Sequence, residues 1–200
     1  MFTYFFNIFV LLPATLLSFA IMLLVYSLIM FFIGKINPLN FFKKASSAMV
    51  TAFSLSSSNA TIPETLKCCK KLGISDSIYT FSIPFGATIN MDGAVTQTMV
   101  ATLLFMELLN VHLPLPTFIA FCASLVLLSA GMPGIPNAQI VMLTISFNML
   151  NMPLSAIPLV VAISSIIEMF GTMINVTGDM AMTTTVASTE KMLDLKKFNS

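Results

Sequence analysis

Not one of the first 34 residues carries a charge, and the apolar run from Ile8 to Ile33 exceeds the ~20 residues that cross a hydrocarbon core of about 30 Å. Such a run belongs in lipid or at the centre of a large protein. A chain of 200 residues with 8% charged side chains, 57% hydrophobic ones and a mean hydropathy of +0.95 has too little polar surface to be an ordinary soluble domain. It reads as an integral membrane protein. The opening Met1 to Phe6 lacks the basic start and the small-residue cleavage site of a secretory signal, so the run is expected to stay as helix. A net charge of +1 without arginine leaves no basic surface for nucleic acid. The cysteines, Cys68, Cys69 and Cys122, are odd in number and lack zinc-type spacing, so neither a structural disulfide nor a zinc site is expected.

Beyond residue 37 the apolar stretches come in two lengths. Phe41 to Leu55 is too short to cross and breaks at residues 56–63 (SSSNATIP) before a brief helical continuation to Leu72, which reads as a hairpin that enters and returns. Ile74 to Leu109 is long enough to span, but Pro84, Gly86 and the run Asn90 to Gly93 interrupt it. Thr117 to Leu128 and Ala138 to Leu150 are half-lengths on either side of residues 129–137, whose glycines and prolines forbid a continuous helix. Leu154 to about Glu190 spans, with a second expected break at Asn175 to Asp179. The fold class is all-α integral membrane: three spanning helices, two of them broken, plus two opposed re-entrant helical hairpins. Residues 1–37 form a spanning helix before the core. Residues 38–190 form the core, as hairpin 38–72, broken span 74–110, hairpin 114–150 and broken span 154–190. Residues 191–200 form a tail.

Lysine placement tests this layout, because basic residues accumulate in cytoplasmic loops. All nine lysines fall in three clusters, Lys35 with Lys43 and Lys44, Lys67 with Lys70 and Lys71, and Lys191 with Lys196 and Lys197. Two re-entrant hairpins put every cluster and the carboxy terminus on the cytoplasmic face, with the lysine-free loops at His112 and Asn151 outside. A hairpin that crossed only once would split the clusters. Cut this way, residues 38–110 and 114–190 are two similar units of inverted topology, an arrangement that places binding sites at mid-membrane between discontinuous helices.

Asp92, Glu168 and Asp179 lie well inside the spans, where an ionised carboxylate costs about 2.5–3.5 kcal/mol even on the lenient insertion scale. No lysine lies in a full span to pair with them. Neutralisation must come from bound cations, a ligand ammonium or protons; for Glu168 a proton and a hydrogen bond would suffice. Backbone oxygens at the breaks, with these carboxylates, are hard ligands suited to alkali cations, and the absence of thiols and imidazoles there argues against a transition metal. The Ser57-Ser58-Asn59 tip offers backbone N–H donors to a carboxylate, or simply caps a short helix.

Four stretches resemble one family closely: SSSNATIPETL (56–66), FGATINMDG (85–93), SAGMPGIP (129–136) and GTMINVTGD (171–179). They are similar to the motifs of the sodium-coupled dicarboxylate and amino acid symporters, which include the glutamate transporters. The resemblance implies an elevator-like transport core that moves substrate against a separate trimeric scaffold. It implies a sodium site from backbone oxygens of Gly86, Asn90 and Asn175 with the Asp179 carboxylate, and a second from Thr88 with carbonyls of Ser129, Ala130 and Met132. A third would involve Asn90 and Asp92. The substrate would sit among Ser57, Ser58, Asn59, Gly134, Thr172 and Asn175, with Ser58 and Asn175 on its α-carboxylate and Glu168 and Thr172 on its ammonium. The second hairpin tip would be the outer gate.

Departures from the family pattern carry information too. Gly171 stands where acidic-substrate members place an arginine, and Ala94 where they place a threonine, so both contacts to a second carboxylate are missing. Neutral amino acids are therefore favoured over acidic ones. The expected function is sodium-coupled symport of an amino acid across the cell membrane by a multi-pass protein, with Na+ as coupling ion and no organic cofactor. A dicarboxylate:cation symporter, an ion-conducting pore and an inactive fragment without scaffold helices are the alternatives. Family members carry further helices before the segment matching Ile8 to Ile33, so a homo-trimer is expected only if those scaffold helices are present. An enzyme is disfavoured, since His112 falls in an outer loop and Cys122 has no base nearby.

Overall fold

The computed structural model describes residues 2–132 and 134–200, so Pro133 of the second hairpin tip lies outside the described residues. The described residues are helical, with no strand among them, and one isolated bridge joins Ile74 to Leu193. The helices are α1 (Phe2–Phe32), α2 (Pro38–Leu55), α3 (Ser58–Leu72), α4 (Asp76–Ile89), α5 (Asp92–Leu108), α6 (Leu115–Ser129), α7 (Ala138–Met149), α8 (Ile157–Thr189) and α9 (Leu195–Asn199). Among the described residues Val10–Phe32 of α1 is the one helix that is by itself long and apolar enough to cross a membrane. The arms Leu154–Ala162 and Ser164–Thr189, which meet at 76°, are long and apolar enough only when taken together.

Helix α8 is the hub, packing against α1, α2, α3, α4, α5 and α7. From Gly171 to Thr185 almost every residue is buried. A helix buried on all sides must dispose of its polar side chains internally, and Thr177, Thr184 and Thr185 do so by donating to the carbonyls of Met173, Met180 and Ala181 at 2.6–2.8 Å. Small residues let neighbouring backbones approach. The closest approach is between α5 and α8, where a Cβ on Gly93 would stand 2.1 Å from the Gly171 carbonyl oxygen. The outer surface is apolar, with Leu17, Phe32, Leu115 and Leu127 exposed, as lipid contact requires. The ion pair among the described residues is Lys67 with Glu64, at 3.2 Å.

The two half-length pairs fold as helix-turn-helix units. In the first, Asn37 caps α2 with Pro38 at its first position, and Ser56 ends it in the left-handed region at φ 48°. Ser57 then caps α3 by accepting from the Ala60 N–H. Ser47 on α2 meets Glu64 and Cys68 on α3, so the arms run antiparallel from the Ser56-Ser57 tip. The sequence predicts a break over residues 56–63, but helix resumes at Ser58 and Pro63 lies inside α3. The Ser57 cap starts the helix early, and Pro63 merely withholds a donor from the Asn59 carbonyl one turn back. The second pair is α6 and α7, joined through residues 130–137.

Helices α4 and α5 part at Asn90 and Met91, inside the polar run where the sequence predicts an interruption. The other expected break, at Asn175 to Asp179, does not exist, because α8 is continuous from Gly171 to Thr189. That stretch holds no proline, and its polar side chains find partners on neighbouring helices, so the ladder need not open. The bend of α8 falls instead between Ala162 and Ser164.

The lysine clusters gather at one end of the bundle. Lys44 donates to the Lys197 carbonyl, Ser188 to the Gly34 carbonyl beside Lys35, and the backbone of Gly73, next to Lys70 and Lys71, pairs with Asp194. Residues 191–200 are thus a docked strap, with Phe198 buried. Gly93→Ala should cost about 3 kcal/mol by forcing α5 off α8, whereas Gly171→Ala, whose Cβ meets nothing closer than 3.5 Å, should be tolerated. Thermal melts of the purified variants in detergent check this.

Candidate functional site

Three polar features converge on the middle of α8, each brought by a different break in the helical ladder. The gap between α4 and α5 lies across Asn175 and Asp179. Asn175 Oδ1 accepts from the Gly93 N–H at 2.6 Å, while its Nδ2 donates to Met91 Sδ at 3.3 Å. One turn on, Asp179 Oδ1 accepts from Asn90 Nδ2 at 2.9 Å. The same oxygen rests against the bare Cα of Gly86, where a Cβ would stand 2.4 Å away. Only glycine admits the carboxylate so close to the α4 backbone. The Gly86 carbonyl, expected to be free of the ladder, accepts from the Asn90 N–H at 2.8 Å because α4 runs to Ile89. One lone pair remains to it.

Asp92 opens α5, and its carboxylate accepts from the Tyr26 hydroxyl of α1 at 2.5 Å. Tyr26 also covers Gly178, where a Cβ would meet its oxygen at 2.7 Å. Tyr26, Asn90, Asp92, Gly86 and Asp179 thus form one oxygen-rich cluster, and a groove of about 290 Å³ between α4 and α8 reaches Asp179 and Gly86 from the surface.

The two hairpin tips meet at a single carbonyl. Ser57 Oγ donates to the Gly134 oxygen at 2.7 Å and the Asn59 N–H donates to it at 3.2 Å. Glu168, on α8, accepts from the Asn137 N–H at the start of α7, so a buried carboxylate fastens the second tip. Between the tips and α8 lies a cavity of about 30 Å³, room for one or two waters. A ligand larger than water requires the second tip to move.

Of the residues expected around a substrate, Ser58, Ala94, Gly134, Glu168, Gly171, Thr172 and Asn175 all line this cavity. Ser57 and Asn59 do not, being spent on the tip-to-tip bonds. Of the expected cation ligands, Gly86, Asn90 and Asp179 stand together, with Asn175 one turn away, and Asp92 joins them through Tyr26. The set of Thr88, Ser129, Ala130 and Met132 is less assembled. Met132 lines the cavity, Thr88, expected to contribute its backbone, is exposed, and the Ser129 carbonyl accepts from the Met132 N–H. The second tip does approach the residue before Thr88, since a Cβ on Gly134 would stand 2.8 Å from the Ala87 oxygen.

Sequence reasoning missed Tyr26, Gln97 and Gln139. Each is a polar side chain within a membrane-length or half-length helix, where such residues are expensive and mark functional surfaces. That cost was the available signal.

Helix breaks and hairpin tips thus surround a small cavity that carries the Glu168 carboxylate, with the Asp92 and Asp179 carboxylates in the neighbouring cluster. The profile of the sodium:dicarboxylate symporter family matches residues 2–189, and the chain belongs to that family. Over 158 residues, or 78% of this chain, it is 32% identical to excitatory amino acid transporter 3 of Mus musculus and 36% identical to excitatory amino acid transporter 5 of Homo sapiens. Over the same length it is 35% identical to neutral amino acid transporter B(0) of Mus musculus. The chain covers 28–30% of the length of these relatives. The family is one of sodium:dicarboxylate symporters, which are transporters and not enzymes.

Tyr26→Phe should lower stability by about 1–3 kcal/mol, because it leaves the half-buried Asp92 carboxylate without its donor. Thermal unfolding in detergent checks this, and because phenylalanine keeps the ring, the loss reads the hydroxyl alone.

Proposed function

We propose that this chain is the substrate-carrying core of a sodium-coupled symporter that takes neutral amino acids in preference to acidic ones. The observation that carries the reading is the set of three carboxylates, Asp92, Glu168 and Asp179, held among neutral donors. Tyr26, the Asn137 amide and Asn90 each supply one hydrogen bond, and none supplies charge. Sodium ions at the Asp179 and Asp92 cluster and a substrate ammonium at Glu168 balance the charge, so cation and amino acid enter the membrane together. Ion and organic solute are then coupled by electrostatics alone.

In this reading residues 38–190 are the transport core. Its hairpins are re-entrant from opposite faces, the lysine-bearing end is cytoplasmic, and a trimer forms through scaffold helices. The α-carboxylate of the substrate meets the start of α3 at Ser58 together with Asn175, and its ammonium displaces the Asn137 N–H from Glu168. That exchange couples loading to release of the second tip. The contrast with acidic substrates follows from Gly171 and Ala94, which leave the cavity without a cation or hydroxyl for a second carboxylate.

The chain is reconstituted into lipid nanodiscs and L-alanine binding is followed by calorimetry in sodium and in choline. Asp179→Asn should abolish the sodium dependence, with affinity in sodium falling at least tenfold toward the choline value; unchanged dependence would remove Asp179 from the ion site. Gly171→Arg should raise L-aspartate affinity at least tenfold relative to L-alanine, since a Cβ there meets nothing closer than 3.5 Å and the guanidinium supplies the cation that a second carboxylate lacks. No gain for L-aspartate would contradict the assignment of that wall.

A further inference from the structure

The cavity between the hairpin tips does not end at Gly171 and Ala94. It continues past Gln97 on α5 and Gln139 on α7 into a narrower space of about 10 Å³ bordered by Thr98 and Ser164, and both glutamines line both spaces. This inner wall is buried and mostly apolar, with Ile140, Leu143 and Val160 beside the few polar side chains that enter it. Gln139 is 7% exposed and Thr98 is 2% exposed. Gln139 Nε2 and Thr98 Oγ1 have no hydrogen-bond partner among the described residues. A buried amide donor without an acceptor is costly, and evolution removes it cheaply by substituting leucine or methionine, so its presence beside a cavity points to a partner that arrives from outside.

Resting on the reading of the cavity as an amino acid site, we propose that Gln97 and Gln139 form the subsite for the substrate side chain, and that the side chain they select ends in a carboxamide. Gln139 Nε2 donates to the ligand carbonyl oxygen. Gln97 Oε1, which faces the open Gly171 position, accepts from the ligand NH2. An aliphatic side chain would leave both glutamines unpaired, and a hydroxyl could serve both only through one oxygen, whereas a carboxamide carries its acceptor and its donor on separate atoms. A carboxylate could accept from Gln139 but would repel Gln97 Oε1, and no lysine or arginine lies in the helices around it to hold the charge. The pattern of donors and acceptors therefore matches an uncharged group that has one of each.

The test uses the full chain in nanodiscs with sodium and the near-isosteric ligands L-asparagine, L-leucine and L-aspartate, alongside L-glutamine and L-alanine. L-asparagine or L-glutamine should bind at least about tenfold more tightly than L-leucine and L-aspartate. Gln139→Leu should bring the amide-to-leucine ratio close to one. Gln97→Met provides a second variant with the same expectation, and a thermal melt and elution profile matching the parent's identify which variant is folded. L-leucine matching both amides in the parent, or a preserved amide preference in a folded Gln139→Leu protein, would overturn the subsite while L-alanine binding leaves the transport reading standing. Failure of every amino acid to bind with sodium would overturn both.

Discussion

The structure depends on one contact, the Asp179 carboxylate lying against the bare backbone of Gly86 with Asn90 donating to it. A buried carboxylate is tolerable only where its surroundings are fixed, and this one ties the end of α4 to the middle of α8. Asn175 does the same for α5 by accepting from Gly93. The gap at Asn90 and Met91 is therefore pinned from both sides by α8, the helix on which the bundle packs. Freed backbone polar groups in a membrane protein survive where other protein atoms take them up, and here Asn175 does so for the Gly93 N–H.

The second constraint is the Gly134 carbonyl, on which Ser57 and Asn59 converge. Through it, two helical hairpins distant in sequence touch above α8. Glu168 adds a bond to the Asn137 amide, so the tip of α6 and α7 is held by a serine, an amide and an acid. Each of these is a hydrogen bond that a small zwitterion could replace, an ammonium at Glu168 or a carboxylate at the start of α3. The fastenings of the tip and the proposed contacts of the ligand are made by the same atoms. This gives the outer tip a physical reason to respond to occupancy, since binding and opening compete for the same partners.

Much of this was legible in the sequence for identifiable reasons. Glycine, proline and serine mark both hairpin tips, and the run Asn90 to Gly93 marks the gap between α4 and α5, because these residues act on the backbone locally. Length and the absence of charge define α1. What could not be read is what packing decides. Asn175, Gly178 and Asp179 resemble a break in one dimension. In three dimensions Asn175 and Asp179 reach neighbouring helices and Gly178 makes room for Tyr26, so α8 stays intact. The Tyr26 bond to Asp92 links residues 66 apart in the chain, and no periodicity announces it. Gln97 and Gln139 looked like ordinary polar residues until their shared wall became visible.

The central claim is that sodium takes over from protons in neutralising the cluster of Asp92 and Asp179. Infrared difference spectra of the purified chain, taken as choline is replaced by sodium at constant pH, test it directly. The account requires loss of a protonated carboxyl band, gain of a carboxylate band, and a smaller change in Asp179→Asn. Carboxyl bands that stay the same in both salts across the physiological pH range would contradict it.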